Sequence, residues 1–192
     1  WLQVVIFCIV LLAYSLKMDL FGLKAKTAAK FIKIRGQNPD SEKKNPPTRI
    51  KSVGALADID LFRNYDFTRK LIESFELAPN QVRVALVDPS GKNQSTLDAP
   101  EAFGEDSFGL YGKIKNATLE EFVEKEFDLL VNYSGTDWVF SEVILTRSKA
   151  RLKAGFDADD SGWQDISIKI PGNKMDTFHE ELVKYLRIMN LL

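Results

Sequence analysis

The sequence predicts an α/β protein: a three-layer α/β/α, Rossmann-like domain with a mostly parallel sheet of five to six strands, plus an N-terminal helical extension. Three observations predict it. From Arg49 onward, short apolar runs of strand length alternate with stretches of helical period. The runs are apolar at consecutive positions rather than alternate ones, the pattern of strands covered on both faces. And 192 residues, 45% hydrophobic and 28% charged, suffice for one sizeable core but would be unusual as two full domains.

Residues 1–17 form an apolar segment in which Trp1 to Leu16 carry no charge. Three readings compete for it. It could be the end of a transmembrane anchor, with the lysine-rich flank placing the domain on the cytoplasmic side of an inner membrane. It could be a signal-peptide core, against which stand the missing small-residue cleavage site and a basic flank on the wrong side. Or it is sequence from outside the gene, with Met18 as the start and the protein cytoplasmic. Residues 18–48 read as a basic amphipathic helix, with Leu20, Leu23, Ala28, Phe31, Ile32 and Ile34 among Lys24, Lys26, Lys30, Lys33 and Arg35, followed by a proline-rich linker. Those five cations could meet an anionic membrane surface or RNA; a helix packed on the domain with its lysines in water is an equal alternative.

Residues 49–192 read as a single α/β domain. Ile50 to Ala57 is the first strand, with Gly54 inside it for packing. A helix capped by Asp66 follows, with Phe67, Leu71, Ile72 and Phe75 on one face. Val82 to Val87 is a strand closed by the turn Asp88-Pro89-Ser90-Gly91. The stretch from Lys92 to Asn116 suggests one short strand near Leu110 and Tyr111. Thr118-x-x-Glu121 reads as a capping box opening a helix that buries Leu119, Phe122 and Val123. Glu126 to Asp137 is the central strand and its exit loop, leading to a helix with Trp138, Phe140, Val143 and Ile144. Ala150 to Phe156 and Asp165 to Ile170 are two further strands. Thr177-x-x-Glu180 reads as the cap of a last helix whose core stripe is Phe178, Leu182, Tyr185, Leu186 and Met189.

Charge and motif content narrow the function. Residues 1–51 hold ten Lys or Arg against three acids, a surplus of seven, so with a formal net charge of -1 overall, residues 52–192 carry -8. A domain this acidic is not expected to bind nucleic acid, which rests largely on neutralising phosphates. Cys8 is the sole cysteine, which excludes a disulfide framework and a cysteine zinc site. Neither a phosphate loop of the G-x-x-x-x-G-K-[ST] kind nor a G-x-G-x-x-G after a strand is present. Asp157-Ala158-Asp159-Asp160-Ser161-Gly162 matches the first half of a calcium loop, but Ile168 stands at the twelfth position, so an acidic turn is expected. His179, the sole histidine, falls one place off the apolar stripe and is expected in solvent or at the helix edge.

In a parallel sheet the strand ends share one rim, and that rim gathers the candidate ligand-binding residues Asp58, Asp88, Asn132, Tyr133, Ser134, Thr136 and Asp137. The turn Asn132–Asp137 supplies donors and acceptors at the start of a helix, where free amides favour an anion and Asp137 as cap would compete for them. The same residues also suit a strand-to-helix turn that simply turns. No catalytic residue, metal or cofactor is expected.

The segments IKSVGALAD, FDLLVNYSGTDWVFSEVILTRSKARLKAGF, DISIKI and FHEELVKYLRIMN resemble a family of small uncharacterised proteins from Bacteroidetes, over essentially Met18 to the C-terminus. The resemblance implies no activity, but such proteins begin near MDLFGLKAK. More remotely, FDLLVN, the following helix and Ala150-Arg151-Leu152-Lys153-Ala154-Gly155-Phe156 are similar to the N-terminal half of GT-B glycosyltransferases of the lipopolysaccharide heptosyltransferase type. That family's glycine-rich turn after the first strand is replaced here by Ala57-Asp58-Ile59-Asp60, and its nucleotide-sugar domain has no counterpart in these residues. The expected function is a non-catalytic binding or assembly module with a protein partner; the alternative is a carbohydrate- or nucleotide-processing enzyme using Asp58, Asn132, Ser134 and Asp137.

Overall fold

The central strands are apolar along their whole length because both of their faces are covered. In a computed structural model, which describes residues 20–36, 45–62, 66–91, 102–134, 138–156, 163–170 and 174–192, six strands run in chain order: β1 (Val53–Asp58), β2 (Val82–Val87), β3 (Ala102–Phe103), β4 (Leu129–Asn132), β5 (Leu152–Phe156) and β6 (Ile166–Ile168). Every pairing among them is parallel, in the spatial order β3-β2-β1-β4-β5-β6. This is the Rossmann strand order, with its topological switch between β1 and β4.

Helices cover both faces. The N-terminal helix α1 spans residues 20–36, and α2 (Ile59–Phe62) is a single turn straight off β1. Then come α3 (Phe67–Phe75), α4 (Ala117–Glu124), α5 (Val139–Arg147) and α6 (Met175–Ile188). One core joins Phe67, Leu71 and Phe75 of α3 and Phe178, Leu182 and Leu186 of α6 to Val53, Ala55, Ala57, Leu129, Val131 and Tyr133. The other joins Ala28 and Ile32 of α1, Leu119 and Phe122 of α4, and Phe140, Val143 and Ile144 of α5 to Leu56, Ala85, Val87 and Leu130. Odd and even strand positions thus feed opposite cores, as the period-2 pleat demands.

Gly54 lets the β1–β4 pair lie under a ring. A Cβ there would stand 2.8 Å and 2.9 Å from the Phe127 ring and 3.1 Å from Leu130. Asp128 fixes the start of the same pair. Its carboxylate accepts the Lys51 N–H at 3.0 Å and the Ser52 hydroxyl at 3.1 Å, and Arg151 from the start of β5 approaches to 3.8 Å.

α1 is held by more than apolar contact. Its Lys24 is buried and paired with Glu105 at 3.3 Å, and the Tyr111 amide donates to Thr27 Oγ1 at 3.1 Å. The Arg147 guanidinium stacks 4.7 Å over Phe31 while its Nε–H donates to the Gly112 carbonyl at 2.6 Å. Burial holds that guanidinium below its ordinary pKa, Glu120 opposing the shift. No helix of the described residues is long and apolar enough to cross a membrane.

Several local expectations are corrected. The segment with Leu110 and Tyr111 is a 3-10 turn with Tyr111 at φ 57°, not a strand; the edge strand forms earlier, at Ala102–Phe103. The cap of α4 is Asn116, whose side chain accepts the Leu119 amide at 3.1 Å, two residues before the box read at Thr118. α6 starts at Met175, ahead of the box read at Thr177, and its N-cap Lys174 makes no side-chain cap bond. Along α6, Tyr185 and Met189 are exposed, and the stripe is completed instead by Met175 and His179.

His179 is the largest correction. It is 4% exposed, not in solvent. Its Nδ1 lies 3.0 Å from the Tyr133 hydroxyl and its Nε2 lies 2.8 Å from Ser74 Oγ, so one hydrogen-bonded chain ties β4 to α6 and α3. Phe75 stacks on the imidazole at 5.9 Å. Two hydroxyls serve a neutral ring well, since one can donate to it and the other accept from it. Burial, helped by the Lys70 ammonium, pushes the His179 pKa down to about 4.

Two outcomes follow. Gly54→Ala should cost about 1–3 kcal/mol in urea unfolding through overpacking, with part restored when Phe127→Leu removes the ring that the new methyl meets. For His179, the unfolded state binds its proton near pH 6.5 and the folded state near 4. Stability should therefore be full above about pH 6.5 and fall by about 3 kcal/mol as the pH drops toward 4. Urea unfolding of wild type and His179→Gln over that range should show the slope in the first and its loss in the second.

Candidate functional site

At the switch point, β1 ends in Asp58 and β4 in Asn132, and the Tyr133 N–H donates to the Leu56 carbonyl at 2.7 Å, so the two exits stay side by side. The carboxyl rim gathers Asp58, Asp88, Asn132 and Ser134, all buried. Thr136 and Asp137 lie outside the described residues, as do residues 157–162, expected as an acidic turn, and residues 1–17; the N-cap of α5 is Trp138, with no side-chain cap bond, and not the expected Asp137.

Each central strand finishes in the same local device. Asp58 Oδ1 accepts the Asp60 amide at 2.9 Å. Asp88 Oδ1 accepts the amides of Ser90 at 3.1 Å and Gly91 at 2.9 Å, and the Ser90 hydroxyl at 2.7 Å. Asn132 Oδ1 accepts the Ser134 amide at 3.0 Å. These are Asx turns, in which a short side chain takes the amide two residues on. Ser134 Oγ lies 3.2 Å from Ser141 Oγ in the first turn of α5, tying the exit of β4 to the helix beyond.

The consequence for an anion is specific. In a Rossmann site the amides after the first strand are left to a pyrophosphate, behind a glycine-rich turn. Here the helix turn α2 begins at the next residue, Ile59, which is buried in the core, and the Asp58 carboxylate takes one of those amides itself. A negative charge already stands in the region, so a phosphate would meet a repulsion there.

Tyr133 does not serve the rim. It is fully buried on the opposite face, its ring 4.6 Å from Phe67 and 5.5 Å from Phe178, and its hydroxyl meets His179. Among the described residues no three His, Cys, Asp or Glu side chains converge where a metal ion could sit.

An open cavity of about 360 Å³ lies between α1 and α5, lined by Ala29, Ile32, Lys33, Val139, Glu142 and Trp163. The end of α1 rests against the indole, for a Cβ on Gly36 would stand 3.3 Å from Trp163 Cζ2. Sequence reading missed this groove because its walls come from three distant segments. The half-exposed Trp163 beside an acidic turn was the one available signal.

If the rim carboxylates are turn-closing groups, removing one should act on stability. Asp88→Ala, which removes an acceptor from the Ser90 amide and hydroxyl and the Gly91 amide, should lower unfolding stability by about 1 kcal/mol, and Asp88→Asn should recover part of it. Chemical denaturation of the two variants against wild type measures this.

No curated protein and no solved structure matches the chain. Residues 24–189, from the buried Lys24 of α1 to the end of α6, match a family of unknown function, DUF6913. That span takes in α1 and all six strands, and the chain belongs to this family.

Proposed function

We propose that the chain is a non-catalytic α/β binding or assembly module. The observation that carries this reading is the use of the rim: where other proteins of this strand order hold a ligand, the acceptor oxygens of Asp58, Asp88 and Asn132 close their own loops. An oxygen engaged in holding a turn has that much less capacity to serve a substrate. The groove beside Trp163, open and mixed in character, is the better docking surface for a protein partner. A cytoplasmic place of action fits the single thiol of the sequence.

The runner-up is a carbohydrate- or nucleotide-processing enzyme related to a GT-B half. What favours it is the strand order, which puts β1 and β4 at a switch point, together with the resemblance over Ala150–Phe156. Thermal unfolding with a panel of nucleotides, sugars and nucleotide sugars separates the two readings. A true ligand at about 100 times its dissociation constant adds about 2.7 kcal/mol to the native state. The module reading expects no such shift; a shift that disappears in Asp58→Ala establishes the enzyme reading instead. The module reading further expects a photo-crosslinker at Ala29 to give a discrete adduct in the native host that the same label at Lys184 on α6 does not.

A further inference from the structure

We infer that the outer face of α1 is a docking surface for an anionic lipid bilayer. This goes beyond the module reading and does not depend on it. α1 contains five cations and no acid in residues 20–36. The fold divides them. Lys24 is buried against Glu105, and Arg35 is half-buried with its guanidinium over Phe31. Both are thereby engaged on the inner side, which corrects the set of five expected from sequence. Lys26, Lys30 and Lys33 are exposed.

Those three share a face with large apolar side chains. Positions 20, 23, 26, 30, 33 and 34 fall on one side of a 3.6-residue helix. Leu20, Leu23 and Ile34 are 50%, 49% and 55% exposed. Alternating lysine and leucine on one outward stripe suits the headgroup boundary: the apolar groups enter the acyl edge while the ammonium groups meet phosphates. A lysine stripe in water alone would not explain the exposed leucines and isoleucine. Nucleic acid would not reward them either.

The acidic remainder of the chain does not cancel this attraction. Its charge of -8 belongs to residues 52–192, of which α3 and α6, on the far side of the sheet, are together neutral while α4, on the side of α1, carries Glu120, Glu121 and Glu124. A Debye length is about 8–10 Å in physiological salt, so only carboxylates within that reach of the outer stripe oppose the attraction. Glu142 lines the groove with Lys33. The stripe therefore also sets an orientation, with α1 toward the bilayer.

The test is vesicle co-sedimentation of the full chain in about 0.15 M salt, with phosphatidylcholine vesicles and with vesicles about one third phosphatidylglycerol. At about 1 kcal/mol per lysine and 1.4 kcal/mol per tenfold, three lysines predict roughly a hundredfold preference for the anionic vesicles. The ratio is the readout because the uncharged run Trp1–Leu16 does not distinguish the two. In the triple variant Lys26→Glu, Lys30→Glu, Lys33→Glu the ratio should fall close to one. A control with the same charge change on the opposite layer, Lys174→Glu, Lys184→Glu, Arg187→Glu, should keep most of it. Circular dichroism melts confirm that both variants are folded. A wild-type ratio near one, a ratio unchanged in the α1 variant, or an equal fall in the control would each overturn the inference, as would charge-dependent binding to RNA with none to vesicles.

Discussion

The pairing of β1 with β4 is the contact on which the rest depends. The two strands lie at the centre of the sheet, every residue of both is buried, and the two cores are built on their opposite faces. A slip of one residue would exchange those faces and place Val53, Ala55 and Ala57 where Gly54 and Leu56 now lie. The register is therefore pinned at both ends. Asp128 bonds across to Lys51 and Ser52 at the start, and the Tyr133 amide bonds to Leu56 at the exit. Gly54 then admits Phe127 over the pair, which only a residue without a Cβ can do at that distance.

The strand exits share one local solution at the rim. Of the amides there, those of Asp60, Ser90 and Gly91 belong to exposed residues and that of Ser134 to a buried one, which would be costly to leave unpaired. Asp58, Asp88 and Asn132 take them with one side-chain oxygen each. The same solution removes the feature a Rossmann site relies on, a set of open amides behind glycines. Ligand chemistry and turn closure compete for the same few groups, and in this chain the turns hold them.

What the sequence made legible follows from this division. β2 was read at its true limits, Val82–Val87, because an apolar run bounded by Pro79-Asn80 and Asp88-Pro89 carries its own punctuation. β1 was read three residues early because Ile50 is as buried as a strand residue, yet its amide goes to the Leu191 carbonyl rather than to a neighbour strand. Apolar pattern reports burial, not pairing. Leu110 and Tyr111 mimic a strand by composition, while Tyr111 and Gly112 both take positive φ and the Tyr111 amide docks on Thr27 of α1. His179 was misplaced for a related reason. A hydrophobic stripe has no symbol for an imidazole whose two nitrogens are met by a tyrosine and a serine that lie 46 and 105 residues away. Asp58, Asp88, Asn132 and Ser134 lie at the strand exits, as a parallel sheet requires; that Asp58, Asp88 and Asn132 each turn an oxygen onto their own turn was not a property of spacing.

The five cations of α1 make the same point about charge. In sequence they are equivalent, but burial costs an ammonium far more than exposure does, so a buried lysine must have a partner, and Lys24 has Glu105. Lys26, Lys30 and Lys33 contribute nothing comparable to the fold; water would accept any polar residue in their places. Leu20, Leu23 and Ile34 contribute still less, since an exposed apolar side chain gains no stability and adds to the risk of aggregation. A face that the described fold does not require, and that solubility argues against, is the ground on which a bilayer contact is inferred, cations together with bulky apolar groups suiting it more narrowly than either feature alone.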